Sequence, residues 1–399
     1  MIPRHRPVPR SRPLSRTIAL LLACALCGSS CGVVTAKQVV SSEARFAVAK
    51  GAAAVPGGKD VVALTQGNKI GYRIVELPCT DEHGKRTTTS LAVWYPTDDP
   101  ERPFEYHFDK NAVKTQVAEN GKVAPGKFPL VIHSHGATGS GLNSFFITET
   151  MARHGFIVVA IDHTDDMYLA RIPPNWKPAQ ERGQAIKALS YAMKVRNKWL
   201  GDDAVASRQV IAYRPAQVKA AIDLMLGASR DAGSPFAGRV DEAKIGVMGH
   251  SFGAWTAMAV AGGVRQFADP RVRAAITFSN AVNATVFSPD EVANIKVPFM
   301  IMFGSTEVEQ GRGDDRTFFY DRLPGPKYMV EIQDAIHTTF SGGLKEDHPD
   351  VAGYLGEANR AAITRYAIAF MGFYLKGDAQ DHEQLKVRGS GVSNYIYSE

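Results

Sequence analysis

The feature that most constrains this chain is a glycine-flanked serine between two apolar segments. Residues 244–248 read Lys-Ile-Gly-Val-Met, residues 249–253 read Gly-His-Ser-Phe-Gly, and residues 254–260 are mostly small and apolar. The pattern predicts a buried strand, a sharp turn and a helix. Glycines on both sides of the serine remove the Cβ atoms that would clash where the strand and the helix approach each other.

This turn makes Ser251 the predicted nucleophile. A serine in so sharp a strand-to-helix turn is held in a strained backbone conformation with its hydroxyl exposed. The first N–H groups of the following helix have no partner within the helix, and the helix dipole favours negative charge at that end. Because short glycine–serine combinations also occur by chance, the interpretation depends on the flanking strand and helix, and both are present.

Apolar runs that alternate with helix-like segments predict the fold class. Continuous runs typical of strands buried on both faces lie at residues 128–132, 156–161, 274–278, 298–303 and 327–332. Helical segments lie at residues 143–154 and 214–226, with a terminal helix at residues 359–375. Alternation of this kind predicts an α/β-hydrolase-like α/β fold with a doubly wound, mostly parallel sheet, in one domain over residues 59–399.

The segment before the first buried strand has a different pattern. Residues 71–77 and 88–96 alternate in polarity around a polar turn, which predicts an antiparallel pair at the edge of the sheet. Residues 98–126 are polar and bounded by prolines, and no strand is predicted there.

One long stretch, residues 165–213, interrupts the alternation of strands and helices. It holds an amphipathic run and is too long for a simple crossover. Two interpretations remain open: a surface helical insertion, or a lid whose Trp176, Tyr191 and Trp199 border an acyl pocket.

The same chain order predicts a base and an acid for Ser251. His337 follows the strand at residues 327–332, where a histidine can take the serine proton and return it to the leaving group. Glu307 lies at the tip of the strand at residues 298–303, so it can orient the imidazole and stabilise its charged form. Other carboxylates remain alternatives for the acid, namely Glu309, Asp290, Asp314 and Asp315.

A glycine-rich turn at residues 136–141 predicts the oxyanion hole. The N–H of Ala137 is the expected first donor and the N–H of Phe252, just after the nucleophile, the second. The side chains expected to border the substrate pocket are those of Thr138, His250 and Trp176.

Two histidines precede that turn, His133 and His135, with the spacing of a metal-binding pair. No cluster of carboxylates accompanies them, so we expect no metal and interpret one of them as a residue that orients the loop.

The N-terminus has the pattern of an export signal. Residues 1–36 combine five arginines among the first sixteen residues, a short apolar core at residues 17–26 and small residues ending at Ala36. The core is too short to span a bilayer. Cleavage by an ordinary signal peptidase and lipoprotein processing at a cysteine both fit this segment; the candidate cysteines are Cys24, Cys27 and Cys31. Residues 37–58 read as a linker.

Removal of this signal would leave a nearly neutral chain with Cys79 as its single cysteine, although the full sequence carries a formal net charge of +6. No internal disulfide is then expected. The sequence has no basic stripe interleaved with aromatic residues, which argues against a nucleic-acid partner. We expect an exported monomer, periplasmic or secreted, with a membrane tether at the N-terminus if the lipoprotein route is used.

Over residues 70–375 the sequence resembles the bacterial branch of the α/β-hydrolase superfamily that groups platelet-activating factor acetylhydrolases with dienelactone-hydrolase-like proteins. The motifs that carry the resemblance are Trp94-Tyr95-Pro96, Ser134-His135-Gly136, residues 154–158 with Asp162-His163, residues 214–218, the serine turn itself and residues 337–340. The resemblance implies a Ser/His/acid esterase that needs no metal or cofactor, with backbone oxyanion donors at Ala137 and Phe252.

Two departures from this branch affect the expectation. The acetylhydrolases carry their acid after the strand that here ends in Ser279-Asn280, and no carboxylate stands there, which leaves Glu307 after the next strand. Dienelactone hydrolases use a cysteine nucleophile, so Ser251 favours ordinary esters.

We therefore expect a serine carboxylic ester hydrolase acting on short-chain acyl esters or on acetylated or oxidised phospholipids. Polyester or cutin-like polymers are the second substrate class and amides the third. Two non-enzymatic functions are the alternatives: a ligand-binding protein on a hydrolase scaffold, and a membrane-surface interaction protein.

Overall fold

A mixed sheet of twelve strands forms the centre of the described chain, with helices on both faces. The computed structural model describes residues 53–54, 67–108, 111–137, 139–165, 172, 208–280, 287–307, 315–342 and 356–399.

The strands and helices have the following bounds. The strands are β1 (Ala53–Ala54), β2 (Lys69–Thr80), β3 (Arg86–Thr97), β4 (Arg102–Phe108), β5 (Asn111–Glu119), β6 (Phe128–Ser134), β7 (Ile157–Ile161), β8 (Val240–His250), β9 (Val272–Phe278), β10 (Phe299–Gly304), β11 (Lys327–Ile332) and β12 (Val392–Ser398). The helices are α1 (Phe145–Arg153), α2 (Tyr213–Arg230), α3 (Phe252–Met258), α4 (Pro289–Ala293), α5 (Asp315–Arg322), α6 (Glu357–Met371) and α7 (Ala379–Leu385). Shorter helical turns lie at Arg208–Ile211, Ala259–Gly263, Ser305–Glu307, His337–Ser341 and Gly372–Lys376.

The strand order places the expected parallel core in the middle of the sheet. It runs β1-β12-β11-β10-β9-β8-β6-β7-β3-β2-β5-β4. The strands from β11 to β7 in this order are parallel to one another, whereas β12 and β3 flank them antiparallel. The predicted doubly wound, mostly parallel sheet is therefore confirmed, and its parallel strands end at one common edge.

The central strands are buried on both faces, which explains their continuous apolar runs. In β6, Leu130 and Ile132 join the hydrophobic cluster that contains Val218 and Ile222 of α2. Val131, between them, joins the opposite cluster, which holds residues of α1 and α6. Helices thus cover both faces of the sheet, as the alternation in the sequence predicted.

The polar segment at residues 98–126 holds a hairpin of β4 and β5 that was not predicted from the sequence. β5 also pairs with β2, so the antiparallel pair of β2 and β3 does not form the edge of the sheet. Among the hairpin residues whose burial is described, Tyr106, Val113, Val117 and Ala118 are buried, and most of their neighbours are polar. The hairpin therefore lacks the continuous apolar run that identifies the central strands in the sequence.

The prediction that the chain ends in a helix was also wrong. After α6 and its continuation, α7 and β12 follow, and β12 pairs antiparallel with β11. β1, within the segment interpreted as a linker, pairs with β12 in turn. Tyr395 and Ile396 are buried in β12 but stand among polar residues, so no continuous apolar run marked this strand.

Several sequence predictions lie outside the described residues. They include the export signal at residues 1–36, Thr138, and most of the insertion at residues 165–213 with its Trp176. Among the helices that the structure describes, none has the length and apolar character needed to cross a membrane.

Candidate active site

The serine turn lies at the common edge where the parallel strands end. Ser251 stands between β8 and α3 with φ 55° and ψ −115°, a conformation that non-glycine residues rarely adopt. Its N–H donates to the carbonyl of Phe278 at 3.0 Å. The surrounding structure therefore holds the strained residue in place.

The two glycines of the turn allow the strand and the helix to meet. A Cβ on Gly249 would lie 2.1 Å from the carbonyl oxygen of Gly253. A Cβ on Gly253 would lie 1.9 Å from the carbonyl oxygen of Ser134 in β6. Both contacts are with backbone atoms, so neither position can accept a side chain without moving the turn.

His337 lies beside the serine, at the start of the helical turn that follows β11. Its Nε2 is 2.9 Å from the Oγ of Ser251, which is the distance of a hydrogen bond. This arrangement allows the imidazole to accept the hydroxyl proton when the serine attacks.

His250, which was predicted to border the substrate pocket, lies beside His337. Its side chain is buried, and its Nε2–H donates to the carbonyl of His337 at 2.9 Å. Burial and the neighbouring His337 lower the pKa of His250 to about 3, so its ring stays neutral. The residue before the nucleophile thus holds the backbone of the histidine that contacts the nucleophile.

Glu307 approaches the other side of the His337 ring from the end of β10. Its Oε1 accepts the N–H of Gly304 at 2.9 Å. Its Oε2 lies 3.6 Å from the Nδ1 of His337, which is beyond ordinary hydrogen-bond distance. The carboxylate therefore faces the imidazole without a direct hydrogen bond to it.

Ser279 fills the space between that carboxylate and the imidazole. Its hydroxyl donates to Oε2 of Glu307 at 2.6 Å and is also hydrogen-bonded to Nδ1 of His337. Because Ser279 has one hydroxyl proton, donation to Glu307 leaves its oxygen to accept Nδ1–H of the ring. Hydrogen bonds therefore link Glu307, Ser279, His337 and Ser251 in that order.

The protonation state of Glu307 suits this role. Burial alone would raise its pKa, but the adjacent His337 ring, the Ser279 hydroxyl and the Gly304 N–H together lower the pKa to about 2. The carboxylate is therefore ionised at neutral pH and can stabilise a positive charge on His337. Of the alternative acids, Asp290 is exposed in α4, and Glu309 and Asp314 lie outside the described residues.

Ser279 was not predicted to belong to the site. The sequence showed only that no carboxylate stands at this strand end. A signal was available, because β9 and β10 are both predicted buried strands and residues at the ends of neighbouring parallel strands meet at one edge. Its φ of 45°, unusual for a non-glycine residue, was not visible in the sequence.

The loop after β6 passes directly beside the nucleophile. A Cβ on Gly136 would lie 3.2 Å from the Cβ of Ser251. Ala137 is the next residue, and its N–H makes no hydrogen bond to another described residue. Phe252 is the first residue of α3, at the end of the helix whose dipole favours negative charge. The two residues predicted to supply the oxyanion donors thus belong to the segments next to Ser251.

The two histidines before this loop, His133 and His135, are both buried. His135 donates from Nδ1 to the carbonyl of Gly136 at 2.6 Å, and its Nε2 accepts the N–H of His163 at 3.1 Å. Burial, followed by the charge of Arg214, lowers the pKa of His135 well below its usual value, so the ring is neutral and its two hydrogen bonds join Gly136 to His163. Within the described ranges, no three His, Cys, Asp or Glu residues are grouped to hold a metal ion.

The sheet, the helices on both faces and the serine turn at its carboxyl edge are those of an α/β-hydrolase fold. Two family models match parts of the chain. The model for platelet-activating factor acetylhydrolase, isoform II, matches residues 104–281, and the model for PET hydrolase-like proteins matches residues 200–388.

Two characterised relatives agree with the first of these matches. The chain is 26% identical to the platelet-activating factor acetylhydrolase of Cavia porcellus over 241 residues and 26% identical to that of Canis lupus familiaris over 246 residues. The alignments cover 57% and 58% of this chain and 52% of each relative. The chain thus spans about half the length of the curated relatives it matches.

A solved structure supports the fold. The ferulic acid esterase from Streptomyces cinnamoneus superposes with a TM-score of 0.56 and 21% sequence identity, over 81% of this chain and 94% of that one. Together these likenesses confirm the recognition of the α/β-hydrolase superfamily that the sequence motifs suggested.

Proposed function

We propose that the protein is a serine carboxylic ester hydrolase with Ser251, His337 and Glu307 as its catalytic triad. The observation that carries this proposal is the 2.9 Å contact between Nε2 of His337 and Oγ of Ser251 in the serine turn. Glu307, ionised and linked to His337 through Ser279, supports the proton on Nδ1 and leaves Nε2 free to act as the base.

The reaction follows from this geometry. His337 takes the hydroxyl proton of Ser251 as the oxygen attacks the acyl carbon, and the N–H groups of Ala137 and Phe252 stabilise the tetrahedral oxyanion. The imidazolium returns the proton to the departing alcohol, which leaves an acyl-enzyme. Water, activated by the same imidazole, then attacks the acyl carbon, releases the carboxylic acid and regenerates Ser251. No metal or cofactor takes part.

The proposed substrates are short-chain acyl esters or acetylated or oxidised phospholipids. The likeness to platelet-activating factor acetylhydrolases of two mammals supports this choice. A polyester hydrolase is the second candidate, favoured by the match of residues 200–388 to the PET hydrolase-like model.

The test is a substrate panel measured with the wild type and with Ser251→Ala. The panel holds p-nitrophenyl esters from acetate to palmitate, an oxidised phosphatidylcholine, and films of poly(ethylene terephthalate) and cutin. We expect hydrolysis of the short soluble esters, and a loss of at least about a thousandfold in Ser251→Ala. Ester hydrolysis that survives in Ser251→Ala would refute the proposal, and faster turnover of the polymer films than of any soluble ester would select the polyester candidate.

We also propose that the protein is exported and works as a monomer. In this proposal residues 1–36 are the signal, residues 37–58 the linker and residues 59–399 the single hydrolase domain. The basic start, the short apolar core and the small residues before Ala36 support export. Processing at one of the three cysteines would add a lipid and tether the N-terminus to a membrane.

A further inference from the structure

A buried arginine lies behind the loop that follows β6. Arg214, in the first turn of α2, is fully buried, and one terminal nitrogen of its guanidinium donates to the carbonyl of His135 at 2.8 Å. Its Nε donates to Oδ1 of Asp165 at 3.1 Å, and its other terminal nitrogen pairs with Oδ2 of the same residue. The hydroxyl of Tyr213 donates to Asp165 as well.

The same guanidinium contacts the residue after the nucleophile. Its central carbon lies 4.0 Å from the centre of the Phe252 ring, within the range of a cation–π contact. One planar group therefore contacts both chain segments that carry the proposed oxyanion donors: the backbone two residues before Ala137, and the side chain of Phe252.

A second residue of α2 holds the adjacent backbone. Gln217, one turn after Arg214, accepts Nδ1–H of His163 at 2.8 Å, and Nε2 of His163 accepts the hydroxyl of Ser134 at 2.8 Å. The amide nitrogen of Gln217 donates to Thr80 and Thr164. Ser134, the last residue of β6, is thus linked to α2 through His163, and the next residue, His135, is bonded to α2 directly.

The ion pair is ionised in spite of its burial. Burial alone would raise the pKa of Asp165, but the charge and hydrogen bonds of Arg214 hold it well below its usual value. Burial likewise opposes the charge of Arg214, but Asp165 and Tyr213 together outweigh the burial and raise the pKa of the guanidinium. Buried pairs of this kind seldom stabilise a fold more than apolar side chains of the same volume, so stability alone is a weak reason for one at this position.

We propose that Arg214, held by Asp165, is a positioning residue that sets the distance between the two oxyanion donors. The planar fork of arginine can bond a carboxylate and a carbonyl at once and stack on a ring, which lysine cannot do. The inference rests on the proposed esterase function, and Arg214 itself contacts neither substrate nor nucleophile in it.

The test compares Arg214→Lys and Tyr213→Phe with the control Arg230→Met. Arg230 lies at the opposite end of α2, where its ion pair with Glu242 is exposed. Turnover of p-nitrophenyl acetate is expressed per active site, with sites titrated by a fluorophosphonate, so that unfolded protein does not count. The affinity for an aryl boronic acid, whose tetrahedral adduct occupies the oxyanion hole, is measured in parallel.

We expect Arg214→Lys to lower kcat by about 10- to 100-fold. KM should change little, and the boronate affinity should fall in proportion to kcat. Tyr213→Phe, which removes one bond to Asp165 and keeps the ion pair, should show a smaller change of the same kind. Arg230→Met should match the wild type.

Unchanged kcat and boronate affinity per titrated site in Arg214→Lys would overturn the inference. If that variant does not fold, Tyr213→Phe decides: a joint loss of turnover and boronate affinity supports the inference, and wild-type values for both overturn it. Failure of the proposed function is seen separately, in a wild type that hydrolyses no ester or in a Ser251→Ala variant that still does.

Discussion

The hydroxyl of Ser279 connects the carboxylate of Glu307 to the imidazole of His337. Glu307 and His337 are 3.6 Å apart, and the hydroxyl of Ser279 bonds to both. Hydrogen bonds to ionised groups contribute more than neutral ones, about 1.5–3 kcal/mol each. Ser279 is therefore expected to transmit most of the effect of Glu307 on the orientation of His337.

Removal of this hydroxyl should slow catalysis without unfolding the protein. Ser279→Ala is expected to lower kcat by about 10- to 100-fold, since one charge-assisted hydrogen bond is lost. Glu307→Gln should cost more, up to about 10⁴-fold, because the amide can also favour the wrong tautomer. Steady-state kinetics on p-nitrophenyl acetate measure both variants.

Thr277→Val is the matched control for these variants. Thr277 stands two residues before Ser279 in β9, and its hydroxyl is buried without a hydrogen-bond partner among the described residues. Its loss should leave kcat unchanged. Wild-type kinetics in both Ser279→Ala and Glu307→Gln would exclude the relay and move the role of the acid to another carboxylate.

A second residue-scale prediction concerns His133, which is fully buried in β6 with no hydrogen-bond partner for either ring nitrogen among the described residues. Burial lowers its pKa from 6.5 to about 4 in the folded state. The unfolded chain therefore binds the proton first on acidification, and stability is lost as the pH falls from 6.5 towards 4. At pH 5 this loss amounts to roughly 2 kcal/mol.

His133→Leu should remove that loss. We expect the unfolding free energy of His133→Leu, relative to wild type, to be higher at pH 5 than at pH 8 by roughly 2 kcal/mol. Urea denaturation at the two pH values measures the difference, and His83→Gln on the surface serves as the control. A difference from wild type that does not depend on pH would show that His133 does not have this effect.

At the scale of the element, the strand-turn-helix around Ser251 was predictable and the peripheral strands were not. β8 is apolar on both faces and two glycines mark its turn, so residue type alone identifies it. β5 and β12 lack a continuous apolar run, and they pair with β2 and β11, which are distant in sequence. Such strands depend on tertiary pairing, for which a local pattern carries little information.

Substitution by alanine should have opposite effects on stability at a glycine in the serine turn and at a glycine in α2. Gly253→Ala places a Cβ 1.9 Å from a backbone oxygen of β6, and should destabilise the protein by about 3 kcal/mol or more. Gly227→Ala, inside α2, meets no atom within 4 Å and should stabilise it by roughly 0.5–1 kcal/mol. Thermal denaturation measures both, and equal effects of the two substitutions would contradict the packing described for the turn.

At the scale of the molecule, the sheet assembles the site from residues far apart in the chain. Neighbouring parallel strands β8, β9, β10 and β11 end beside one another and present Ser251, Ser279, Glu307 and His337 in that order. Their order along the chain was enough to predict that Ser251, His337 and a carboxylate lie together at this edge. The hydroxyl between acid and base, and the arginine behind the oxyanion loop, depend on side-chain packing that no spacing in the sequence specifies.

Export is the prediction that concerns the whole chain. Expression of the full sequence in a bacterial host should give a mature protein that lacks the first residues and is found outside the cytoplasm. Intact mass separates the two routes, because lipoprotein processing leaves an acylated cysteine at the N-terminus. Serine substitution of Cys24, Cys27 and Cys31 together should prevent acylation only on that route. An uncleaved chain confined to the cytoplasm would contradict export.

The most direct test of the central claim is to map the site of covalent modification by a fluorophosphonate. The purified protein is labelled, digested and sequenced by mass spectrometry. A hydroxyl made nucleophilic by the neighbouring imidazole should give one adduct, on Ser251, absent from Ser251→Ala and formed far more slowly in His337→Ala. An adduct on a different residue, or undiminished labelling of Ser251→Ala, would contradict the account.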